Sequence, residues 1–570
     1  MSRVRDEMDT WSPQTMMVFV GFVVAIFALL ALTLGLNLWA LWHTGSSLEW
    51  HPLRLITGIR SGTVEVDESA WTWAGGSAVS LVLLGLFIAV VIGRRRAERK
   101  RGDKSARLTG AKSDTDSLGR KAVEKKAKRL GVEAAIGLPI ARTVHQPREL
   151  YSSFEDVCIL IAGPRTGKTT AWVVPRILAA PGAVIATSNK RDILDSTRYV
   201  REDRGHSTWI FDPQKIASTR QEWWWNPLTY VRSIADAQDL AKVFDDCVRE
   251  AGAAKSAYFD TEGRNLVANL LMAASLKEDA DITQVLRWLN NPQDDEPAAL
   301  LREHGYAMAG ESVDAQYNLV AETRSGVFGT AQQLVSFLTN EHVVKWVTPP
   351  AEAGIPHFDT DGFVRSTDTL YLLSQEGKGN ATAIVTALTV AVNEAAKEFS
   401  QQSGGRVPTP IYICLDEAAN VCKWGELPDM YSHFGSRGVC VDTILQSWSQ
   451  GKDVWGEAGI NKLWSASNVK AYAGGVSEVP FLQTISELIG DHYIDSRQVS
   501  SSAQGTSVST SRQSQQRRIS TVAELAALPT GRAWVFASTA RAVLCETVPW
   551  FESKIAKDVT ASIRRSKEIR

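Results

Sequence analysis

The residues with the clearest chemical meaning are a lysine and a threonine that close a short, glycine-containing loop. The run ILIAGPRTGKTT begins at Ile159 and includes Lys168 and Thr169. Counted from Ala162, its spacing is that of a phosphate-binding P-loop, in which the lysine contacts the β- and γ-phosphates and the threonine hydroxyl ligates Mg²⁺. The predicted nucleotide-binding residues are Ala162, Gly163, Pro164, Arg165, Thr166, Gly167, Lys168, Thr169 and Thr170.

A P-loop also needs a carboxylate on a neighbouring strand, and the run PIYICLDEAAN supplies one. The apolar residues Ile411 to Leu415 are followed directly by Asp416 and Glu417. We expect Asp416 to belong to the Mg²⁺ shell and Glu417 to orient or deprotonate the attacking water. The two motifs together predict an ATP hydrolase that uses Mg²⁺.

Two further polar residues flank the next strand-like run, Val439 to Leu445. Gln446 follows this run, where an amide would lie beside the γ-phosphate and respond to hydrolysis; the alternative is an ordinary turn residue. Arg437 precedes the run. It is either a surface residue or an arginine finger that reaches a neighbouring subunit, and the spacing leaves both readings open.

The elements that must position these residues alternate between strand-like and helical runs from about residue 149 onward. This alternation predicts an α/β fold with a parallel sheet. The pattern then becomes almost entirely helical, which predicts an all-helical domain inserted into the α/β fold. Ser500 to Ser514 is rich in serine and is either a disordered loop or a polar hairpin. The expected segments are the P-loop NTPase domain in two parts, 149–232 and 340–550, the helical insert, 233–339, and a basic tail, 551–570, in which 562–570 is expected to be solvated.

Two long apolar runs precede this domain. Met16 to Trp42 contains 27 residues without a charge, and Ala70 to Gly93 is also uncharged. At 1.5 Å per helical residue these runs extend roughly 40 Å and 36 Å, more than the roughly 30 Å hydrocarbon core of a bilayer. The sequence therefore predicts two transmembrane helices. The segments are a short N-terminus, 1–15, the first helix, 16–42, a loop, 43–70, the second helix, 71–93, and a basic segment and tether, 94–148.

The charges beside these runs predict their orientation. The connecting loop contains only two basic residues, Arg54 and Arg60, whereas eight follow the second run. Since basic residues stay on the cytoplasmic side, we expect both termini in the cytoplasm and residues 43–70 outside the cell membrane. The eight are Arg94, Arg95, Arg96, Arg99, Lys100, Arg101, Lys104 and Arg107.

The composition narrows the remaining possibilities. The net charge is −1, so the chain lacks the bulk basic character of a general nucleic-acid-binding protein, although local loops can still bind nucleic acid. The six cysteines show neither a CxxC motif nor metal-ligand spacing. They are predicted to be reduced residues of the core.

Several segments resemble the type IV secretion coupling proteins, the TraG/TraD family. The resemblance covers most of the chain and rests on blocks in the expected order: GKTTAWVVPRIL, ATSNKRDIL, WIFDP, WNPL, TLYLL, LDEAAN and RGVCVDTILQSWSQ. It implies a RecA-like ATPase that forms a hexameric ring, with Arg437 as the interface arginine and Gln446 as the γ-phosphate glutamine. Ala162 departs from the glycine of many relatives, and the serine-rich stretch is a second departure.

The resemblance implies a membrane-anchored ATPase that moves DNA, together with a bound relaxase-type protein, into a secretion channel. Its expected partners are DNA, that protein, channel components in the membrane and further copies of the chain. Two alternatives remain: a receptor ATPase for secreted proteins, and a membrane DNA translocase of the FtsK type. The large helical insert argues against the second.

Overall fold

The protein divides into two compact units, residues 1–100 and 101–570. The structure, a computed structural model, describes residues 13–80, 83, 103–109, 112–133, 135–248, 256–375, 381–501, 508–538 and 540–568. Within these ranges, side chains are not described for residues 13–28, 112, 494–501 and 508–513. Predictions for residues 1–12 and 84–102 therefore lie outside the described residues.

The described residues of the first unit form three helices, and the two longer ones pack against each other. Helix α1 covers Pro13–Thr44, α2 covers Pro52–Arg60, and α3 covers 68–80. The two long helices approach closely at Gly35, where a side chain would meet the Cα of Ala74 at 2.4 Å, and the hydroxyl of Ser77 donates to the carbonyl of Ala31 at 2.6 Å. Small residues of this kind allow close helix packing.

Among the residues whose side chains are described, no helix combines the length and the apolar character needed to cross a membrane. Residues 16–28 of the first predicted span, 16–42, lie in the part of α1 without described side chains, and most of 81–93 in the second span lies outside the described residues.

The second unit is built on a sheet of eleven strands in the described part of the chain. Seven neighbouring strands, in the order β9-β3-β8-β7-β4-β6-β5, run parallel, and β12, β13, β1 and β2 extend the sheet antiparallel beside β9. The strands are β1 Leu138–Thr143, β2 Glu149–Ser152, β3 Cys158–Ile161, β4 Val184–Ser188, β5 Thr208–Phe211, β6 Thr369–Leu373, β7 Ile411–Leu415, β8 Val439–Leu445, β9 Val469–Tyr472, β10 Asp491–Ser501, β11 Val508–Arg518, β12 Arg532–Ala537 and β13 Val543–Glu546.

The central strands are buried and mostly apolar because they pack between two hydrophobic clusters, one on each face of the sheet. Ile159 and Ile161 of β3 belong to one core cluster, whereas Cys158 and Leu160 belong to the cluster on the opposite face. This is the burial pattern of parallel sheets, and the predicted α/β fold is confirmed. All six cysteines are buried and unpaired with one another, as predicted.

The helices of this unit include a long series between β5 and β6. This series is α8 to α15, so the described residues remain helical beyond 339, as far as Arg365. The helices are α4 Lys112–Thr115, α5 Arg120–Arg129, α6 Val174–Ala179, α7 Asp192–Asp203, α8 Ile234–Val248, α9 Ala257–Leu276, α10 Thr283–Asn290, α11 Glu296–Glu303, α12 Ala307–Tyr317, α13 Ala321–Leu334, α14 Glu341–Val347, α15 Thr360–Arg365, α16 Thr382–Gln402, α17 Ala418–Val421, α18 Leu427–Arg437, α19 Trp448–Ala466, α20 Val479–Ile489, α21 Val522–Ala526 and α22 Ala556–Glu568.

Two segments differ from their expected character as a tether and a solvated tail. Residues 103–109 pack onto the sheet domain, where Arg532 donates to Asp103 at 2.8 and 3.1 Å. Residues 556–568 form α22, and its Val559 is fully buried against Val174 and Val200. Both differences arise from contacts with distant parts of the chain. In the serine-rich stretch, the described residues 500–501 and 508–514 lie on β10 and β11, which pair antiparallel as expected for a polar hairpin, one of the two forms predicted.

Candidate active site

The predicted P-loop connects the end of β3 to the next helix and lies between two other backbone segments. The amide of Ala162 donates to the carbonyl of Leu445 at 2.9 Å, and the amide of Gly163 donates to that of Gly474 at 2.9 Å. A side chain at Gly163 would come within 2.0 Å of the carbonyl oxygen of Gly475. Glycine is therefore required at 163, whereas the side chain of Ala162 is fully buried in the core.

The helix after the loop begins with a wide turn. Thr169–Val173 is a π-helical turn, and α6 follows it at once. A proline inside an α-helix lacks the amide for the usual hydrogen bond, and its ring clashes with the carbonyl four residues earlier. Pro175 is the second residue of α6, in its first turn, where a proline is tolerated.

The acidic pair follows β7, at the same edge of the sheet as the loop. Asp416 and Glu417 are 3% and 4% exposed. Glu417 has a left-handed backbone, with φ 56° and ψ 42°, which is unfavourable for a residue with a side chain. Strain of this kind is found mainly at functional sites, where surrounding contacts maintain it.

The structure brings four predicted residues together around the carboxylate of Glu417. Lys168 contacts Glu417 Oε1 through Nζ, and the same nitrogen lies 3.8 Å from Asp416 Oδ1. Gln446 donates through Nε2 to both carboxylate oxygens of Glu417, at 2.7 and 2.6 Å. Lysine, two acids and an amide therefore converge at the P-loop.

Asp416 has the environment of a cation ligand. Burial raises the pKa of its carboxyl to about 7, and although Lys168 opposes the rise, Glu417 adds to it. Among the described residues, its Oδ1 has no hydrogen-bond partner. A buried carboxylate oxygen without a donor fits Mg²⁺, which in nucleotide sites is bound by one or two carboxylates together with phosphates. Asp416 and the hydroxyl of Thr169 are therefore the residues that would hold it.

Arg437 is not part of this group in the single chain. It is the last residue of α18, and β8 begins two positions later, whereas Gln446 follows the far end of β8. Seven strand residues extend roughly 23 Å, so the two residues lie at opposite edges of the sheet. A role for Arg437 at a neighbouring subunit's nucleotide stays a prediction.

Sequence reasoning missed a buried ion pair directly beneath the site. Arg176 on α6 and Asp442 on β8 are 0% and 1% exposed, and Arg176 Nη2 donates to Asp442 Oδ1 at 2.8 Å. The available signal was a single aspartate inside the apolar run VCVDTIL. An acid in a buried strand requires a partner, because an unpaired buried charge is strongly unfavourable.

Comparison with known proteins identifies a family and a fold. Residues 117–569 match the family model described as type IV secretory system conjugative DNA transfer. No curated protein matches the chain by sequence.

Among solved structures, the chain is similar to the unbound bacterial conjugative coupling protein TrwBdeltaN70, with a TM-score of 0.54 and 18% identity over 74% of this chain and 91% of that one. It is also similar to the plasmid coupling protein TrwB in complex with the ATP analogue ADPNP, with a TM-score of 0.52 and 17% identity over 75% and 92% of the two chains. A third structure, TrwB with ADP and Mg²⁺, has a TM-score of 0.50 and 18% identity over 69% and 85%. At this identity the similarity establishes the shared fold.

Proposed function

Because the chain belongs to the type IV secretory system conjugative DNA-transfer family, we propose that it is the ATPase that drives DNA, with a bound relaxase-type protein, into a secretion channel. The observation that carries the proposal is the convergence of Lys168, Asp416, Glu417 and Gln446 at a P-loop. The complexes of TrwB with ADPNP and with ADP and Mg²⁺ support ATP and Mg²⁺ as the ligands.

Each residue at the P-loop has a distinct task in hydrolysis. The loop amides and Lys168 would bind the phosphates, while Thr169 and Asp416 would hold Mg²⁺, which neutralises phosphate charge when it is bound. Glu417 would orient the attacking water and accept its proton. Gln446 contacts Glu417 and would lie beside the γ-phosphate, where it would respond to hydrolysis.

Lys168 and Gln446 both contact the carboxylate of Glu417. A triphosphate would attract Lys168 more strongly than one carboxylate does, because it carries several negative charges. Binding would therefore release Glu417 from the lysine and leave its carboxylate available to water.

DNA is the substrate that the family description favours over a secreted protein. The helical series α8–α15, between β5 and β6, is a separate surface on which a DNA–protein substrate would be received. The expected assembly is a homo-hexamer, in which Arg437 would reach the neighbouring P-loop, together with channel components in the membrane.

Lys168→Ala is expected to abolish conjugative DNA transfer by cells that make the variant, because the phosphates lose their main positive partner. The matched control is Lys452→Ala, a surface lysine paired with Glu457, which should transfer DNA normally. Transfer frequency between donor and recipient cells is the measurement, at equal protein level. Normal transfer together with a defect in chromosome segregation would instead support the FtsK-type alternative.

We also propose that residues 16–42 and 71–93 anchor the chain in the cell membrane, with 43–70 outside. Single cysteines can test this with an impermeant thiol reagent, because all six native cysteines are buried. Ser47 is exposed and suits the outer position, whereas Ser105 is buried and its hydroxyl donates to the carbonyl of Ile519 at 3.0 Å. The exposed Lys104 is the better inner position.

In intact cells, Ser47→Cys should be labelled and Lys104→Cys should be labelled only after lysis. The opposite pattern, with Lys104→Cys labelled and Ser47→Cys protected, would show that the orientation is inverted.

A further inference from the structure

The buried pair Arg176–Asp442 is contacted by groups from several different elements. Two donors reach Asp442 Oδ2, the indole nitrogen of Trp172 at 2.8 Å and the hydroxyl of Tyr412 at 2.8 Å. Arg176 Nε also lies 2.6 Å from Oδ2, and its Nη1 donates to the carbonyl of Pro139 at 3.0 Å. The network therefore joins the P-loop helix to β1, β7 and β8.

The electrostatics keep this network charged. Burial alone would lower the pKa of Arg176, but the Asp442 carboxylate raises it well above its usual value. The guanidinium carbon also lies 4.8 Å from the ring centre of Trp172, a distance at which a cation is attracted to an aromatic face.

Three members of the network lie on the P-loop helix or on a strand that ends at the active site, each four positions away from a residue of the site. The pairs, each four positions apart in sequence, are Trp172 with Lys168, Tyr412 with Asp416, and Asp442 with Gln446. Four residues of a strand extend about 13 Å. A shift of the helix at the level of the network is therefore carried directly to the lysine and the two strand ends.

The backbone of the P-loop helix cannot fix this geometry by itself. Its first turn is π-helical, and Pro175 supplies no amide hydrogen. Stability does not explain the charged pair, since apolar residues of similar volume often replace a buried ion pair without loss. The directional hydrogen bonds of the pair hold the helix in a single position on the sheet, which the helix backbone alone does not do.

We propose that Arg176 and Asp442 are positioning residues that hold the P-loop helix against β7 and β8, so that Lys168 and Gln446 reach the same carboxylate of Glu417. The inference rests on the proposed ATPase function of that site. It assigns to the pair an effect on turnover that is separable from its effect on folding.

A hydroxyl deletion tests the proposal with little risk to folding. Tyr412→Phe removes one donor to Asp442, and Tyr371→Phe is the matched control, because Tyr371 is equally buried on β6 and shares its hydroxyl hydrogen bond with Thr197 at 2.8 Å. In the full-length chain both variants should show similar melting temperatures. Only Tyr412→Phe should lose kcat, by about three- to ten-fold, the range that one hydrogen bond represents. Its KM for ATP should change little. An equal kcat in the two variants would overturn the proposal.

The second variant removes the pair altogether, as Arg176→Met with Asp442→Leu. It should stay folded because no unpaired charge remains, and it should melt below wild type because the Trp172 indole and the Tyr412 hydroxyl lose their acceptor. Its kcat should fall on the order of 100-fold, as expected for misplacement of catalytic groups by about 1 Å. Wild-type kcat in this folded variant would overturn the proposal.

Amide hydrogen exchange over residues 163–173 gives a readout that does not depend on hydrolysis. Exchange should be faster in the double variant, Arg176→Met with Asp442→Leu, than in wild type. Unchanged exchange would also overturn the inference. If wild type itself hydrolyses no ATP, the proposed function fails, and the exchange comparison still decides the positioning role.

Discussion

Glu417→Gln is expected to bind ATP at least as tightly as wild type and to hydrolyse it about 10²- to 10⁴-fold more slowly. The slower rate follows from loss of the carboxylate that places the water and accepts its proton. The tighter binding follows from the ion pair of Lys168 with Glu417, because the lysine would no longer be held by a charged oxygen and could turn to the phosphates. Mg²⁺ ligation through Asp416 is untouched by the change.

Single-turnover hydrolysis and nucleotide affinity, measured on the full-length variant, check both parts. Glu426→Gln is the matched control, because Glu426 is also paired with a lysine, Lys242, and is outside the P-loop cluster. The control should hydrolyse ATP at the wild-type rate. Hydrolysis by Glu417→Gln within a few-fold of wild type would remove Glu417 from its assigned role.

Arg437→Ala is expected to bind ATP normally and to lose on the order of 10³-fold or more in turnover, the usual contribution of an arginine finger. In the single chain Arg437 lies at the edge of the sheet opposite Gln446. Arg437 could therefore contact phosphate only at the nucleotide site of a neighbouring subunit, and mixed rings can detect this.

Rings co-assembled from Arg437→Ala and Lys168→Ala subunits should recover part of the ATPase activity that each variant lacks alone. In such rings an intact P-loop from one subunit meets an intact arginine from the next. Rings of Lys168→Ala with Glu417→Gln are the control and should stay inactive, since every site then carries a defect. If the first mixture also stays inactive, Arg437 does not act between subunits.

The local parts of the site could be predicted because the residues that carry their chemistry lie in short runs of sequence. The P-loop and the Asp416–Glu417 pair each combine a buried strand with polar residues directly after it, and carboxyl ends of parallel strands meet at one edge of a sheet. Glu417 contacts Lys168 although the two residues are 249 positions apart in sequence. The family resemblance is confirmed over residues 117–569.

The remaining features depend on contacts that no local pattern encodes. The docking of Asp103 on Arg532 involves residues 429 positions apart, so the polar sequence around residue 103 appeared typical of a tether. Likewise the left-handed backbone of Glu417 is maintained by contacts from Lys168 and Gln446, and its own sequence gives no sign of it.

The network around Asp442 could be predicted from the sequence only in part. An aspartate in a buried strand indicates that a partner exists, but Arg176 and Tyr412 become identifiable only once β7, β8 and the P-loop helix are packed together. The π-helical turn before Pro175 is a similar case, because a proline predicts a disturbance without predicting its form.

The central claim is that ATP hydrolysis at Lys168, Asp416 and Glu417 drives the movement of DNA. The most direct measurement is ATP turnover by the full-length chain at low salt, with added single-stranded DNA, double-stranded DNA or a secreted protein substrate. We expect DNA of any sequence to stimulate turnover. The stimulation should decline steeply as salt rises, because binding to phosphates releases counterions. Stimulation by the protein substrate, with no response to either form of DNA, would contradict the claim and place this chain among the receptors for secreted proteins.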